Sequence, residues 1–189
     1  MAIRSLKTGT FSRSGMVGNP VIMPGSYESI ATTTLNATAS SITISSIPST
    51  YTHLQIRVIG SMSASGADDL RMRVNGDTGS TYSTHFVVGN GTTAPAGAYS
   101  TTTSMLVGAN AMPTATNTYG VAIIDVLDYA NTNKYKTMRA LTGNDTNGGG
   151  YVALSSGLWQ STSAITSLTF YPNASTFTAN TQIALYGVN

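Results

Sequence analysis

Two histidines and seven acidic residues are the groups in this 189-residue chain from which acid, base or metal chemistry would ordinarily be built. Neither His53 nor His85 has a second ligand at useful spacing, so each reads as a solvent-face or hydrogen-bonded structural histidine rather than a zinc ligand. The acids are Glu28, Asp68, Asp69, Asp77, Asp125, Asp128 and Asp145. A glycosidase would need two of them facing each other across a sugar, an arrangement that spacing alone does not supply. Asp68-Asp69 follows Gly66 ahead of a strand, and Asp125 and Asp128 lie in or near another. Turn chemistry and solvated strand ends account for these four, and no EF-hand loop is present. Serine is abundant, but no G-x-S-x-G elbow occurs to expose one as a nucleophile. The chain is therefore read as non-enzymatic, with no catalytic residue, no cofactor and no metal.

Three further features could bind rather than react. Asn75-Gly76-Asp77-Thr78-Gly79 has the look of a glycine-rich phosphate loop, but it lacks the Lys-Ser/Thr ending and the strand-to-helix setting, so a hairpin turn is expected. Arg71 and Arg73 share a strand face while Lys134, Lys136 and Arg139 straddle both faces of another, which leaves no continuous basic stripe for nucleic acid. Trp159 and the ten tyrosines could stack on a host-surface glycan. Aromatics in strands more often fill cores or subunit contacts, so glycan binding is not indicated.

The elements that must position these residues are strands. Ser, Thr, Asn and Gly supply 85 residues, and charged residues only 8 %, against a usual share of about 25 %. Hydrophobic residues make up 41 % and the formal charge is only +2, so the chain has the apolar content to fold. Short β-rich runs alternate with turn clusters at Tyr27–Thr34, Ser41–Ile47, His53–Ser61, Asp69–Asn75, Tyr82–Val88, Ser104–Gly108, Thr118–Tyr129, Lys134–Gly143, Tyr151–Gln160, Ala164–Tyr171 and Thr181–Val188. In His53–Val58, Leu54, Ile56 and Val58 share one face and His53, Gln55 and Arg57 the other, the signature of a half-buried strand. In Thr118–Tyr129 both sets are apolar, Val121, Ile123 and Leu127 against Ala122, Ile124 and Val126, which predicts a central strand covered on both sides. The spacing predicts an all-β, antiparallel β-sandwich, jelly-roll-like, over residues 27–189.

Residues 1–26 read differently. Gly15, Gly18, Pro20, Pro24 and Gly25 interrupt the apolar residues, so neither period persists and an extended N-terminal arm is expected. Its charges are Arg4, Lys7 and Arg13 with no acid, +3 in all, whereas the remainder carries −1. There is no apolar h-region in the arm and no run approaching the ~20 residues of a membrane span, so a soluble chain without a secretory signal is expected. No cysteine is present, which rules out a disulfide framework and a thiolate metal site. Three lysines are few for protecting strand edges against pairing, and neighbouring subunits are expected to cover them instead.

Gly25–Leu35 (GSYESIATTTL), Ile47–Arg57 (IPSTYTHLQIR), Asn75–Ser83 (NGDTGSTYS), Trp159–Leu168 (WQSTSAITSL) and Thr181–Val188 (TQIALYGV) resemble a family of small virion-associated structural proteins of tailed bacteriophages, many of them marine or cyanobacterial. These are packing motifs, so no functional residue is carried over. The resemblance implies a structural protein of the virion. Symmetric assembly and interface logic make the leading expectation a capsid decoration, or cement, protein on the outer capsid surface, a homo-oligomer with a trimer preferred, whose partner is the major capsid protein. The arm would add extended contacts, with Leu6, Phe11, Met16, Val21, Ile22 and Met23 as apolar anchors and Arg4, Lys7 and Arg13 meeting acidic surface. The alternative it leaves open is a tail, collar, baseplate or short-fibre component bound to other tail proteins. A membrane partner is not expected.

Overall fold

The computed structural model describes residues 26–64, 66–115 and 117–189. The arm residues Arg4, Leu6, Lys7, Phe11, Arg13, Met16, Val21, Ile22 and Met23 lie outside the described residues.

Among the described residues twelve strands form: β1 (Tyr27–Thr34), β2 (Ile42–Ile44), β3 (His53–Gly60), β4 (Asp68–Val74), β5 (Tyr82–Gly89), β6 (Ala96–Thr102), β7 (Met105–Met112), β8 (Gly120–Leu127), β9 (Lys136–Asp145), β10 (Gly150–Trp159), β11 (Leu168–Pro172) and β12 (Gln182–Val188). They build two antiparallel sheets, one of eight strands in the order β1-β12-β3-β8-β9-β10-β5-β6 and one of four in the order β2-β11-β4-β7. The expected antiparallel sandwich is the fold. The finer jelly-roll label is not carried by this eight-and-four division.

Period-two alternation sets which side of each strand enters the core. Leu54, Ile56 and Val58 on β3 and Ala122, Ile124 and Val126 on β8 face inward, against Leu70, Met72 and Val74 on β4 and Leu168 and Phe170 on β11. One strand escaped the sequence pattern. β6 (AGAYSTT) is small and polar, with little strand propensity of its own. It forms because β5 offers its edge, pairing Val87 with Ala96 and His85 with Ala98, and because the Phe86 ring lies over Gly97, where a Cβ would come 2.7 Å from Phe86 Cζ.

Two further expectations need correction. Asn75 and Gly76 do turn, both at positive φ (51° and 68°), and Asp77 N donates to the Val74 carbonyl at 2.9 Å. The turn is not a hairpin, however, because β4 and β5 belong to different sheets; the alternation that flags a turn does not record which sheet the chain enters next. Nor is β8 covered on both sides, since Val121, Ile123 and Leu127 are exposed.

Polar side chains close the ends of the sandwich. Asp77 accepts from Trp159 Nε1 at 2.7 Å, Thr81 Oγ1 at 2.7 Å and Gly79 N at 2.8 Å, and these donors, Trp159 foremost, hold its carboxyl below the usual carboxylate range. Lys136 is buried, and its ammonium donates to the carbonyls of Asn131 at 2.6 Å, Lys134 at 2.9 Å and Thr162 at 3.0 Å. This pins the β8–β9 connection to the chain beyond β10.

Two outcomes follow from this packing. Gly120 opens β8 directly beneath β7, where a Cβ would overlap the Ala111 carbonyl oxygen, so Gly120→Ala should lower the urea unfolding free energy by about 1–3 kcal/mol. The Asp77 carboxylate, with a folded pKa lowered by its donors, stabilises the fold above the unfolded-state value near pH ~4, and that contribution is lost as pH falls through the folded value. Wild type should therefore lose its advantage over Asp77→Asn as acid is added, seen as converging urea midpoints between about pH 5 and pH 2.

Candidate functional site

The residues with chemistry to offer are dispersed, and the carboxylates among them are individually partnered. His53 Nδ1 accepts from Asp128 N at 3.0 Å, while His85 sits on β5, four strands away across the sheet, about 19 Å at ordinary strand spacing. Asp68 and Asp69 point to opposite sides of β4. Asp68 Oδ2 accepts from Ala174 N at 3.1 Å and Ser175 Oγ at 2.7 Å, whereas Asp69 accepts from Arg71 at 3.1 Å and Asn110 N at 3.0 Å. Asp128 is paired with Lys134, and hydrogen bonding from that ammonium, with lesser charge contributions from Lys134 and His53, keeps its carboxyl lowered. Glu28 accepts from the Tyr51 hydroxyl at 3.1 Å. Among the described residues no group of three His, Cys, Asp or Glu side chains is placed to hold a metal ion.

The binding candidates fare similarly. Trp159 is buried and tied to Asp77, so it offers no stacking platform. Arg71 and Arg73 are engaged by neighbouring aromatics, with Arg71 Cζ 5.6 Å from the Tyr99 ring centre and Arg73 Cζ 4.7 Å from that of Tyr171. Arg73 Nε also donates to the Thr103 carbonyl at 3.0 Å.

The surface that stands out is the outer face of the eight-stranded sheet. Its register aligns residues in rows across the strands. One row runs Arg57, Ile123, Leu141, Leu154, Val87 and Ala96 from β3 to β6, and the row beside it runs Ile59, Val121, Gly143, Val152 and Gly89. The seven large apolar side chains among these eleven residues are each 39–61 % exposed. A third row is polar: Gln55, Asp125, Arg139, Ser156 and His85. Within it Gln55 Nε2 donates to Asp125 Oδ1 at 3.0 Å and Arg139 to Asp125 Oδ2 at 3.1 Å. Arg57 donates to Gln55 Oε1 at 3.0 Å, and its guanidinium lies 4.9 Å from the centre of the Tyr186 ring.

The pattern on β9 and β10 is inverted relative to an ordinary half-buried sheet. Beyond Met138 and Trp159 at one end, the core side carries Ala140, Thr142, Ala153, Ser155 and Gly157, while the water side carries Leu141, Val152 and Leu154. The reason is β7, which lies directly across β9 and β10. At Gly157 an added Cβ would come 2.6 Å from Met138 Cε and 2.7 Å from Met105 Sδ, so Met138 and Met105 fill the space there and a side chain at 157 has no room. The large residues that would normally drive burial are left on the outside. A contiguous exposed apolar face of this kind is rare on soluble monomers. Val121 and Ile123 stood out in the sequence only as one side of a strand expected to be covered; Leu141, Val152 and Leu154 gave no signal, because hydrophobicity alone places them inward.

A concavity of about 450 Å³ opens where the β5–β6 edge overhangs β7. Phe86, Tyr99 and Tyr151 form its apolar walls, and Asp69, Asn90 and Asn110 its polar rim. Phe86 and Tyr99 stack on each other with ring centres 5.5 Å apart, so each has one ring face already occupied. The volume falls in the range of small-ligand clefts.

Compared with protein-family models, with curated proteins and with solved structures, the chain matches none.

Proposed function

We propose that this chain is a structural subunit of a bacteriophage virion, and specifically a capsid decoration protein that binds and stabilises the major capsid lattice. The observation that carries the assembly part of this reading is the uncovered apolar face across β3, β8, β9, β10 and β5, a surface that water does not favour leaving open. The virion setting rests on the sequence resemblance. The basic, Pro- and Gly-interrupted segment 1–26 supplies a means of attachment to a neighbouring acidic surface. Function of this kind resides in interfaces rather than in a catalytic centre.

The aromatic-walled cleft beneath β5–β6 supports a second reading, a tail, collar or short-fibre component that displays the sandwich to the host. Copy number separates the two. Densitometry of purified virions against the major capsid protein should show hundreds of copies, and a variant lacking residues 1–26 should no longer co-purify with the particle. About a dozen copies, matching a single symmetric collar or baseplate, would overturn the decoration reading.

A further inference from the structure

We infer that a second copy of this chain covers the outer face of the eight-stranded sheet, the two sheets packing face to face about a twofold axis that runs along the strands between β8 and β9. The inference builds on the proposed assembly role by naming the occupant of the face. Three observations support it.

The first is position. β8 and β9 are the fourth and fifth strands of eight, so an axis between them centres the contact on the sheet. Eight strands about 4.8 Å apart and about seven residues long present on the order of 900 Å², close to the ~800 Å² that each partner contributes to a standard specific interface.

The second is self-complementarity, which an isologous contact demands because one patch must recognise itself. Asp125 on β8 and Arg139 on β9 are direct cross-strand partners on either side of the proposed axis. The rotation lays β8 over the partner's β9, so Asp125 of each copy meets the partner's Arg139 and two ion pairs form together. A patch of one charge sign could not do this. Within one copy Arg139 already donates to Asp125 Oδ2 at 3.1 Å and Gln55 to Asp125 Oδ1. The Arg139 side chain is 72 % exposed, so on association its guanidinium would exchange to, or be shared with, the partner's Asp125.

The third is the apolar pairing that the same rotation creates. Ile123 and Leu141 are also cross-strand partners astride the axis, so each would rest on the other residue type of the partner copy, beside the ion pairs. Aligned sheets pack about 10 Å apart with a crossing near −30°. That twist keeps the central residues in contact and lets the sheet corners diverge.

Sedimentation equilibrium of the full chain across a range of concentrations tests this. A dimer mass is expected. Leu141→Lys should give a monomer with an unchanged far-ultraviolet dichroism spectrum. Asp125→Arg and Arg139→Asp should each weaken dimerisation by about tenfold or more, and the double reversal should restore it to within about threefold. A monomer at every concentration overturns the inference, as does a trimer, which this contact alone cannot build, or a dimer indifferent to all these variants. If the wild-type chain is monomeric yet Leu141→Lys loses particle binding, self-pairing fails and the virion role stands. If the dimer behaves as described but the protein is absent from particles, self-pairing stands and the virion role fails.

Discussion

The close approach of β7 to β9 and β10 is the constraint on which the rest of this structure depends. An aligned pair of sheets ordinarily interdigitates large side chains from both inner faces. Here a single strand of the small sheet, buried on both its sides, settles onto the large sheet so tightly that Ala140, Ala153, Ser155 and Gly157 are what the contact admits. Leu106 and Ala109 of β7 then complete a second small core with Val88 and Ala153. Because side chains alternate, the register that turns Ala140, Ala153 and Ser155 toward β7 turns Leu141, Val152 and Leu154 into water. One packing decision thus fixes both the interior and the character of the outer surface.

The interior polar groups are handled in the same local way. Thr84 Oγ1 receives Leu106 N at 3.2 Å, and the Tyr82 hydroxyl, its pKa pushed up to about 12 chiefly by burial, donates to the Asp77 carbonyl at 3.0 Å. Lys136 finds three carbonyls instead of a carboxylate. These groups are satisfied by nearby backbone, whereas Ser155 Oγ and Arg71 Nε are buried without a hydrogen-bond partner. Most of the charged residues are left for the outer ladder and for the pairs around Asp69 and Asp128. Hydrogen bonds of this sort carry the desolvation cost of a polar core without a buried ion pair.

For function, the arrangement separates a stable scaffold from a surface with unmet requirements. The dispersed histidines and individually satisfied carboxylates offer no convergent chemistry among the described residues. The outer face instead combines apolar rows with a polar row in which acid and base stand side by side. Apolar rows supply area, and the polar row supplies orientation, the division of labour usual in specific interfaces. A capsid-bound subunit carrying such a face would add lateral strength if it paired with its neighbours while another part of the chain held the lattice.

Much of the fold was legible in the sequence because alternation and turn chemistry are local. The antiparallel sandwich, eleven of its strands and the buried side of β3 all follow from residues within a few positions of one another. β6 was not legible, since Ala96–Thr102 becomes a strand only when β5 lends its edge and Phe86 its ring. The dispersal of His53 from His85 and the opposed directions of Asp68 and Asp69 needed strand order and register as well as pattern. The sequence by itself determined that Thr118–Tyr129 has two apolar sides. Only the tertiary structure decided which side the chain covers with its own atoms, because that choice belongs to β7, brought across β9 and β10 from a distant part of the fold, and no local pattern records its approach.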